Sequence, residues 1–448
     1  MEHRQHIDFH LVTVADKPLF DAYIGCSDVL NCDLNFANIF CWSDTYHSEV
    51  GEAEGFLFIR FDYGESKAYM QPVGGGDKRV ALALLLRDAA AQQISLRLYG
   101  LSQEWRDFLE ENYPTEFAFD APRALYDYIY RSEDLAQLRG RKYQPKRNHI
   151  NRFVERNDWR VEPLSRDNIR ECKRLNDKWL KGREVGEMER AEQMAMGRAF
   201  ENMEALGLRG EVLYANGQVV AFSYGTPITN RTFCTHVEKY DSECEGAATM
   251  INRLMAQSLE EEFELINRED DLGLEGLRFA KLSYSPTILL EKVSALRLTE
   301  EQRDMREMWH NIFGDDYAEI DSFLIRHNDA VPMTHKEAGR VVSMLFVVPL
   351  QVWGKRVAYI YAVATQPEYR GRGLATELLK GALRYAEECG CFDMVALIPS
   401  SFDAKRLYAK LGFEEAGRPL EFPDGDYLGS GSVVQDMAMT LQIKTTKA

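Results

Sequence analysis

At 448 residues the chain is long for one hydrophobic core, and two or three domains are expected. Its composition, 45% hydrophobic and 28% charged, sets compositional disorder aside. A formal net charge of -17 argues against the broad basic surface that extended DNA or RNA binding needs, although "RGRKYQPKRNHINR" at 139–152 forms a local basic patch.

In chain order, "GFLFIRF" (55–61) and "QISLRLYG" (93–100) read as strands, with a helix over 77–92 between them that Asp77 can cap. Pro145 predicts a break, because proline disfavours a helical residue before it, and "KRNHINRFVER" then reads as a helix. Helical material is expected over 166–205. "GEVLYANGQVVAFSYGTPI" reads as a hairpin, since Asn-Gly accepts the left-handed backbone of a tight turn. "TFCTHVEKY" reads as a strand, "GAATMINRLMAQSLEEEFE" as a helix, and 265–286 as loop-rich. A charged helix over 296–315 leads into helix, hairpin, helix, strand, helix and closing strand, the hairpin arms being rich in valine and aromatics.

The first residues contain no apolar signal-peptide core, and no apolar run reaches the length of a membrane span. A cytoplasmic protein is expected. The eight cysteines (26, 32, 41, 172, 234, 244, 389, 391) are scattered and read as free thiols in a reducing compartment. "CGC" at 389–391 is too tight for a zinc knuckle, and His149 has no second histidine at metal spacing, so no metal is expected.

The most informative stretch is "YAVATQPEYRGRGLATELL" (361–379), a strand-like run, a turn, then a helix. Gly371 and Gly373 permit a tight turn with no side chain between backbone and ligand. The unpaired amides and dipole of the following helix make a cradle for an anion, with Arg370 and Arg372 as cationic donors. Residues 317–444 resemble the GNAT N-acyltransferases, whose acyl-CoA signature (Q/R)xxGx(G/A) is matched by Arg370-Gly371-Arg372-Gly373-Leu374-Ala375. The resemblance implies that this turn holds the pyrophosphate of acetyl-CoA and that Ala362, Val363 and Ala364 meet the pantetheine arm. "SFDAKRLYAKLGF" (401–413) is similar to the family's closing helix, which implies that Tyr408 protonates the departing thiolate. Ser401 stands where the family often has asparagine. No general base is named; Tyr359 and Tyr361 only line the pocket or position a water.

"YQPKRNHINRFVERNDWRVEPLS" (143–165) and "INREDDLGLEGLRFAKLSYSP" (266–286) resemble segments of the soluble domain of phosphatidylglycerol lysyltransferases, DUF2156-like proteins. The residues that carry it are Lys146, Arg147, Asn148, His149, Asn267, Glu269, Asp270, Leu272, Gly273, Gly276, Leu277, Arg278 and Lys281. It implies a pair of GNAT-like folds related to enzymes that move an aminoacyl group from tRNA. Lys146, Arg147, Arg278 and Lys281 either form a pocket for phosphate, a tRNA acceptor end or a carboxylate, or pair with Glu269, Asp270 and Asp271. "ECEGAATMINRL" (243–254) follows a strand where a second acyl-CoA signature would stand, and lacks its arginine-glycine spacing.

The expected fold is α/β (α+β), tandem GNAT-like acyl-CoA N-acyltransferase folds with mixed central sheets flanked by helices. One module is expected over 1–150, a second over 151–305 forming a unit with it, and a complete GNAT acetyltransferase domain over 306–448. The expected activity is acetyl transfer from acetyl-CoA to a primary amine of a small molecule or peptide. Two alternatives stay open: aminoacyl transfer from charged tRNA through 1–300, or a non-catalytic ligand-binding front unit. No DNA partner is expected.

Overall fold

The computed structural model describes residues 6–181, 186–418, 420 and 438–443. The chain divides into two units, Met1–Asn112 with Ala121–Leu296, and Tyr113–Asp120 with Arg297–Ala448.

The first unit contains two mixed sheets. In one, the strands His10–Leu11, Glu49–Ala53, Phe56–Tyr63 and Ser66–Met70 run antiparallel in sequence order. The helix Lys78–Ala91 then crosses over to Arg97–Leu101, which pairs parallel with Ser66–Met70. Asp77 caps that helix as expected, its Oδ1 accepting from Arg79 N at 2.8 Å. The second sheet has the order Ile288–Leu290, Asp127–Arg131, Leu265–Asn267, Thr232–Tyr240, Gln218–Pro227, Arg209–Ala215, Trp159–Pro163. Its hairpin turns on Asn216 (φ 52°) and Gly217 (φ 79°), both left-handed as the Asn-Gly pair predicts. The helix Ala247–Leu259 then leads to the parallel strand Leu265–Asn267. A shared core joins the two sheets, with Phe20, Phe36, Phe40 and Leu57 packed in one cluster with Phe200, Phe222 and Cys234.

The second unit repeats the plan. Val331–Glu337, Arg340–Val352 and Lys355–Thr365 form an antiparallel meander. The helix Leu374–Glu388 crosses to Met394–Leu397, parallel to Lys355–Thr365, and the sheet continues through Met439–Gln442 and Glu414–Glu415. Each of the three sheets thus has the same sequence of an antiparallel run, a crossover helix and one parallel pair, which is the tandem GNAT-like architecture expected.

Several elements differ from expectation. The last hairpin is a three-stranded meander, because Val331–Glu337 pairs along Arg340–Val352. The loop-rich stretch 265–286 contains the strand Leu265–Asn267 and the helix Glu275–Leu282. The basic helix begins at Gln144 and holds Pro145 in its first turn, where a missing N–H costs nothing. The strand Phe117–Asp120 belongs to the second unit, where Phe119 N donates to Asp321 at 3.2 Å and Arg326 binds Asp120 at 2.7 Å. Cys389 and Cys391 are joined in a disulfide across Gly390, whose left-handed φ of 63° brings the two side chains together, so these two are not the free thiols expected. The other six are free.

Candidate functional site

The chemistry-bearing turn lies in the second unit. Register along Arg340–Val352 and Lys355–Thr365 shifts where Met344 faces Ala364 and Phe346 faces Tyr361. Ala362 and Val363 therefore stand opposite a single residue in a β-bulge, with Ala362 at φ 48°. The parallel pairing with Met394–Leu397 ends at Ile360 and Leu397, just before this bulge. Past that pair the strands part, leaving 362–364 at the mouth of a fork. Tyr408, on the helix Phe402–Lys410, is buried in the same apolar cluster as Ile360 and Leu397, and its ring lies 6.1 Å from Phe413. Burial pushes its phenol up to about 12.

The turn ends in Gly371 (φ 78°) and Gly373 (φ 84°), angles that other residues adopt only with strain. A β-carbon built at either glycine would meet nothing within 4 Å, so both backbones face open space. Gly373 is the cap of the helix Leu374–Glu388, and no side chain caps that terminus. These observations fit an anion cradle. Arg370 donates Nε to Thr365 O at 3.2 Å, and Arg372 binds Glu337 at 3.2 Å, so both cations are anchored beside the turn.

In the first unit the four expected basic residues separate. Arg147 donates to Leu138 O and, at 2.8 Å, to Gly140 O, and Arg278 forms a two-point pair with Asp271 at 2.8 and 3.0 Å. Lys146 and Lys281 instead approach Arg268. Lys146 donates to Ser283 Oγ at 2.7 Å and sits 3.8 Å from the centre of the Tyr284 ring. Its ammonium is pushed down to about 8 by burial and by Arg268. Lys281 Nζ donates to Arg268 O at 2.6 Å and to Asp270 O.

The sequence reading missed a dense polar cluster in the first unit. Lys292, 5% exposed, lies 2.8 Å from Asp127, 3.0 Å from Asp33 and 3.4 Å from Asp270. Next to it, Glu269 (φ 58°) accepts from Asn38 Nδ2 at 2.9 Å and His236 Nδ1 at 3.0 Å, with Cys234 Sγ at 3.4 Å. Cys234, His236 and Glu269 bring their donor atoms within 4.8 Å of one another, a set with metal-ligand chemistry that the sequence, where no metal was expected, did not reveal. Only the adjacent Glu269-Asp270-Asp271 hinted at the cluster; its other members lie far apart in the chain.

Asp270 is pushed up to about 6, chiefly by burial, with Asp33, Glu269 and Asp127 adding and Lys292 opposing. The folded chain therefore holds this proton more tightly than the unfolded one, and stability falls as pH rises from about 4 to about 6. Above that window the cost is fully present, at most about 3 kcal/mol. Asp270→Asn is expected to raise the melting temperature at pH 7 and to leave it unchanged at pH 4. An equal gain at both values would remove the charge as its cause.

Comparison with known proteins gives two domain matches. The family model described as "Phosphatidylglycerol lysyltransferase, C-terminal" matches residues 28–295, and that described as "Acetyltransferase (GNAT) family" matches residues 295–413. A crystal structure of a conserved protein of unknown function from Bacteroides thetaiotaomicron VPI-5482 is 42% identical, with a TM-score of 0.64, covering 65% of this chain and 100% of its own. The structure of L-PGS from Bacillus licheniformis is 18% identical, covering 54% of this chain and 81% of its own at a TM-score of 0.41. The uncharacterised protein MYCGA3080 of Mycoplasmoides gallisepticum (strain R(low / passage 15 / clone 2)) is 22% identical over 198 residues, 44% of this chain; the match spans 62% of that relative's length.

Proposed function

We propose, for a chain that belongs to the phosphatidylglycerol lysyltransferase C-terminal family and also matches the GNAT family, that it is an acyltransferase moving an acetyl group from acetyl-CoA to a primary amine. The observation that supports this most is the open Gly371–Gly373 turn running into an uncapped helix behind a bulged strand. It is read as three modules, over 1–150, 151–305 and 306–448, the last carrying the transfer.

Acetyl-CoA supplies an activated thioester. Backbone amides over 371–375 bind its pyrophosphate, with Arg370 and Arg372 adding positive charge. Ala362 and Val363 present backbone groups to the pantetheine arm, because the bulge turns them out of the ladder, and Ala364, still paired with Met344, borders them on the same arm. The acceptor amine attacks the thioester carbon directly, the C–N bond forming as the C–S bond breaks. The phenol of Tyr408 protonates the departing thiolate, and the proton shed by the nitrogen passes to water, from which the phenolate is reprotonated. Helices Glu300–Phe313 and Tyr317–Arg326 contribute Trp309 and Phe323, each ring 5.2 Å from that of Tyr361.

Calorimetric titration with acetyl-CoA tests the donor. The intact protein is expected to bind, and Arg370→Glu with Gly373→Glu is expected to weaken binding at least about 100-fold. The double change places two carboxylates where a pyrophosphate must sit and forces a side chain into a left-handed position. Failure of the intact protein to bind would defeat the acetyl-CoA reading and turn the search for a donor to charged tRNA and the first unit.

A further inference from the structure

The second sheet contains the same fork as the third, built from different chemistry. Its parallel pairing ends at Cys234 and Asn267, and register then shifts where Tyr224 faces Val237 and Gly225 faces Thr235. His236 is thus the extra residue of a bulge two positions past the last pair, the place that Ala362 holds in the third sheet. Counted from the last pair, Glu238 corresponds to Ala364 and Arg268 to Ile398. Apolar or small residues in one fork are replaced by a carboxylate and a guanidinium in the other.

Two buried polar atoms in this fork lack partners among the described residues, Nη1 of Arg268 and Oδ1 of Asn252. Both side chains lean on the same carboxylate. Arg268 Nη2 donates to Glu238 Oε1 at 3.0 Å, and Asn252 Nδ2 donates to Glu238 Oε2 at 3.1 Å. That contact fixes the amide of Asn252, because reversing it would turn its oxygen onto Glu238. One unmet donor and one unmet acceptor therefore flank Glu238. Arg268 is 11% exposed and lies over the rings of Tyr284 and Tyr130, at 5.0 and 5.7 Å. Lys146, half-buried on the helix Gln144–Arg156, also lies over the Tyr284 ring, 3.8 Å from its centre. Buried polar groups are rarely left unpaired, least of all a guanidinium N–H beside a second cation, and such a pattern marks a missing partner.

We propose that this fork binds an α-carboxylate with a neighbouring N–H donor, an amino acid or the C-terminal residue of a peptide, held by Arg268 and Lys146 at the carboxylate and by Asn252 at the N–H. The carboxylate brings an acceptor to the free Nη1 of Arg268, whose other arm is paired with Glu238, and a negative charge to Lys146, while the N–H meets the free amide oxygen. Tyr130 and Tyr284 close the site with aromatic faces. The proposal is independent of the donor assigned to the second unit.

The full-length protein is titrated by calorimetry with each standard L-amino acid, its amide and its N-acetyl derivative. At least one amino acid or N-acetyl amino acid is expected to bind, while the matching amide, lacking the carboxylate, binds at least 10-fold more weakly. Binding by the free amino acid alone assigns an ammonium to Asn252; equal binding by the N-acetyl form assigns a peptide terminus. Arg268→Gln is expected to lower affinity at least 10-fold. Should that variant fail to fold, Lys146→Met at the rim decides, with an expected loss of 3-fold or more. Absence of binding across the panel overturns the proposal, as does an amide or inorganic phosphate binding as tightly as the acid. Undiminished affinity in the folded variant does the same.

Discussion

Replacing Tyr408 by phenylalanine is expected to lower kcat for thiol release from acetyl-CoA about 100-fold, with acetyl-CoA affinity unchanged. Phenylalanine keeps the ring in its apolar cluster beside Phe413, so the loss isolates the hydroxyl. General acid catalysis contributes about 10²–10⁴-fold, and the lower end applies here. With its pKa pushed up to about 12 by burial, the phenol is a weaker acid than the thiol it would protonate, which lessens the driving force of the transfer. Burial of the departing thiolate raises its basicity too and narrows that gap. The same displacement keeps the acid protonated throughout the usual assay range, so the wild-type rate should show no loss from phenol ionisation between pH 7 and pH 10. A variant turning over within about 3-fold of wild type would leave Tyr408 as a packed aromatic with no part in proton transfer.

Lys292→Met is expected to destabilise the folded chain by about 3–5 kcal/mol, the cost of removing one partner from a buried ion cluster. The ammonium lies among three carboxylates, of which that of Asp127 is fully buried and also accepts from Cys32 N at 2.9 Å and Asn267 Nδ2 at 2.8 Å. Without the cation, Asp127, Asp33 and Asp270 face one another in a medium that screens poorly. Urea unfolding at pH 7 should show the midpoint falling with little change in slope. The deficit should shrink at pH 5, where Asp270 is protonated, and adding Asp270→Asn should recover part of it, since residues sharing one network do not contribute additively. An unchanged midpoint would mean that solvent or relaxation replaces the lysine.

The two units also differ in how far their chemistry depends on local sequence. In the second, the glycines, the arginines and the helix that follows lie within a few positions of each other. In the first, Arg268, Glu238, Asn252 and Lys146 come from four separate elements that meet only once the second sheet is assembled.

Local geometry was legible from the residues alone. Asn216-Gly217 specified its hairpin because left-handed angles are nearly free to that pair, and Asp77 specified a helix start because its carboxylate reaches an unpaired amide. Gly371 and Gly373 specified an open turn for the same kind of reason. What the sequence left open depends on partners distant along the chain. The strand Phe117–Asp120 carries no mark of the unit it joins, since its place is set by Asp321 and Arg326, some two hundred positions away. Lys146, Arg147, Arg278 and Lys281 read as one basic group, yet Arg147 and Lys281 are occupied by nearby carbonyls and Arg278 by Asp271, while Arg268, which carried no signal of its own, becomes the centre of the polar fork. Periodicity and turn chemistry report which way a side chain faces and where the backbone bends. Which charges meet across a sheet is decided by register and crossover, and those exist only in the tertiary structure.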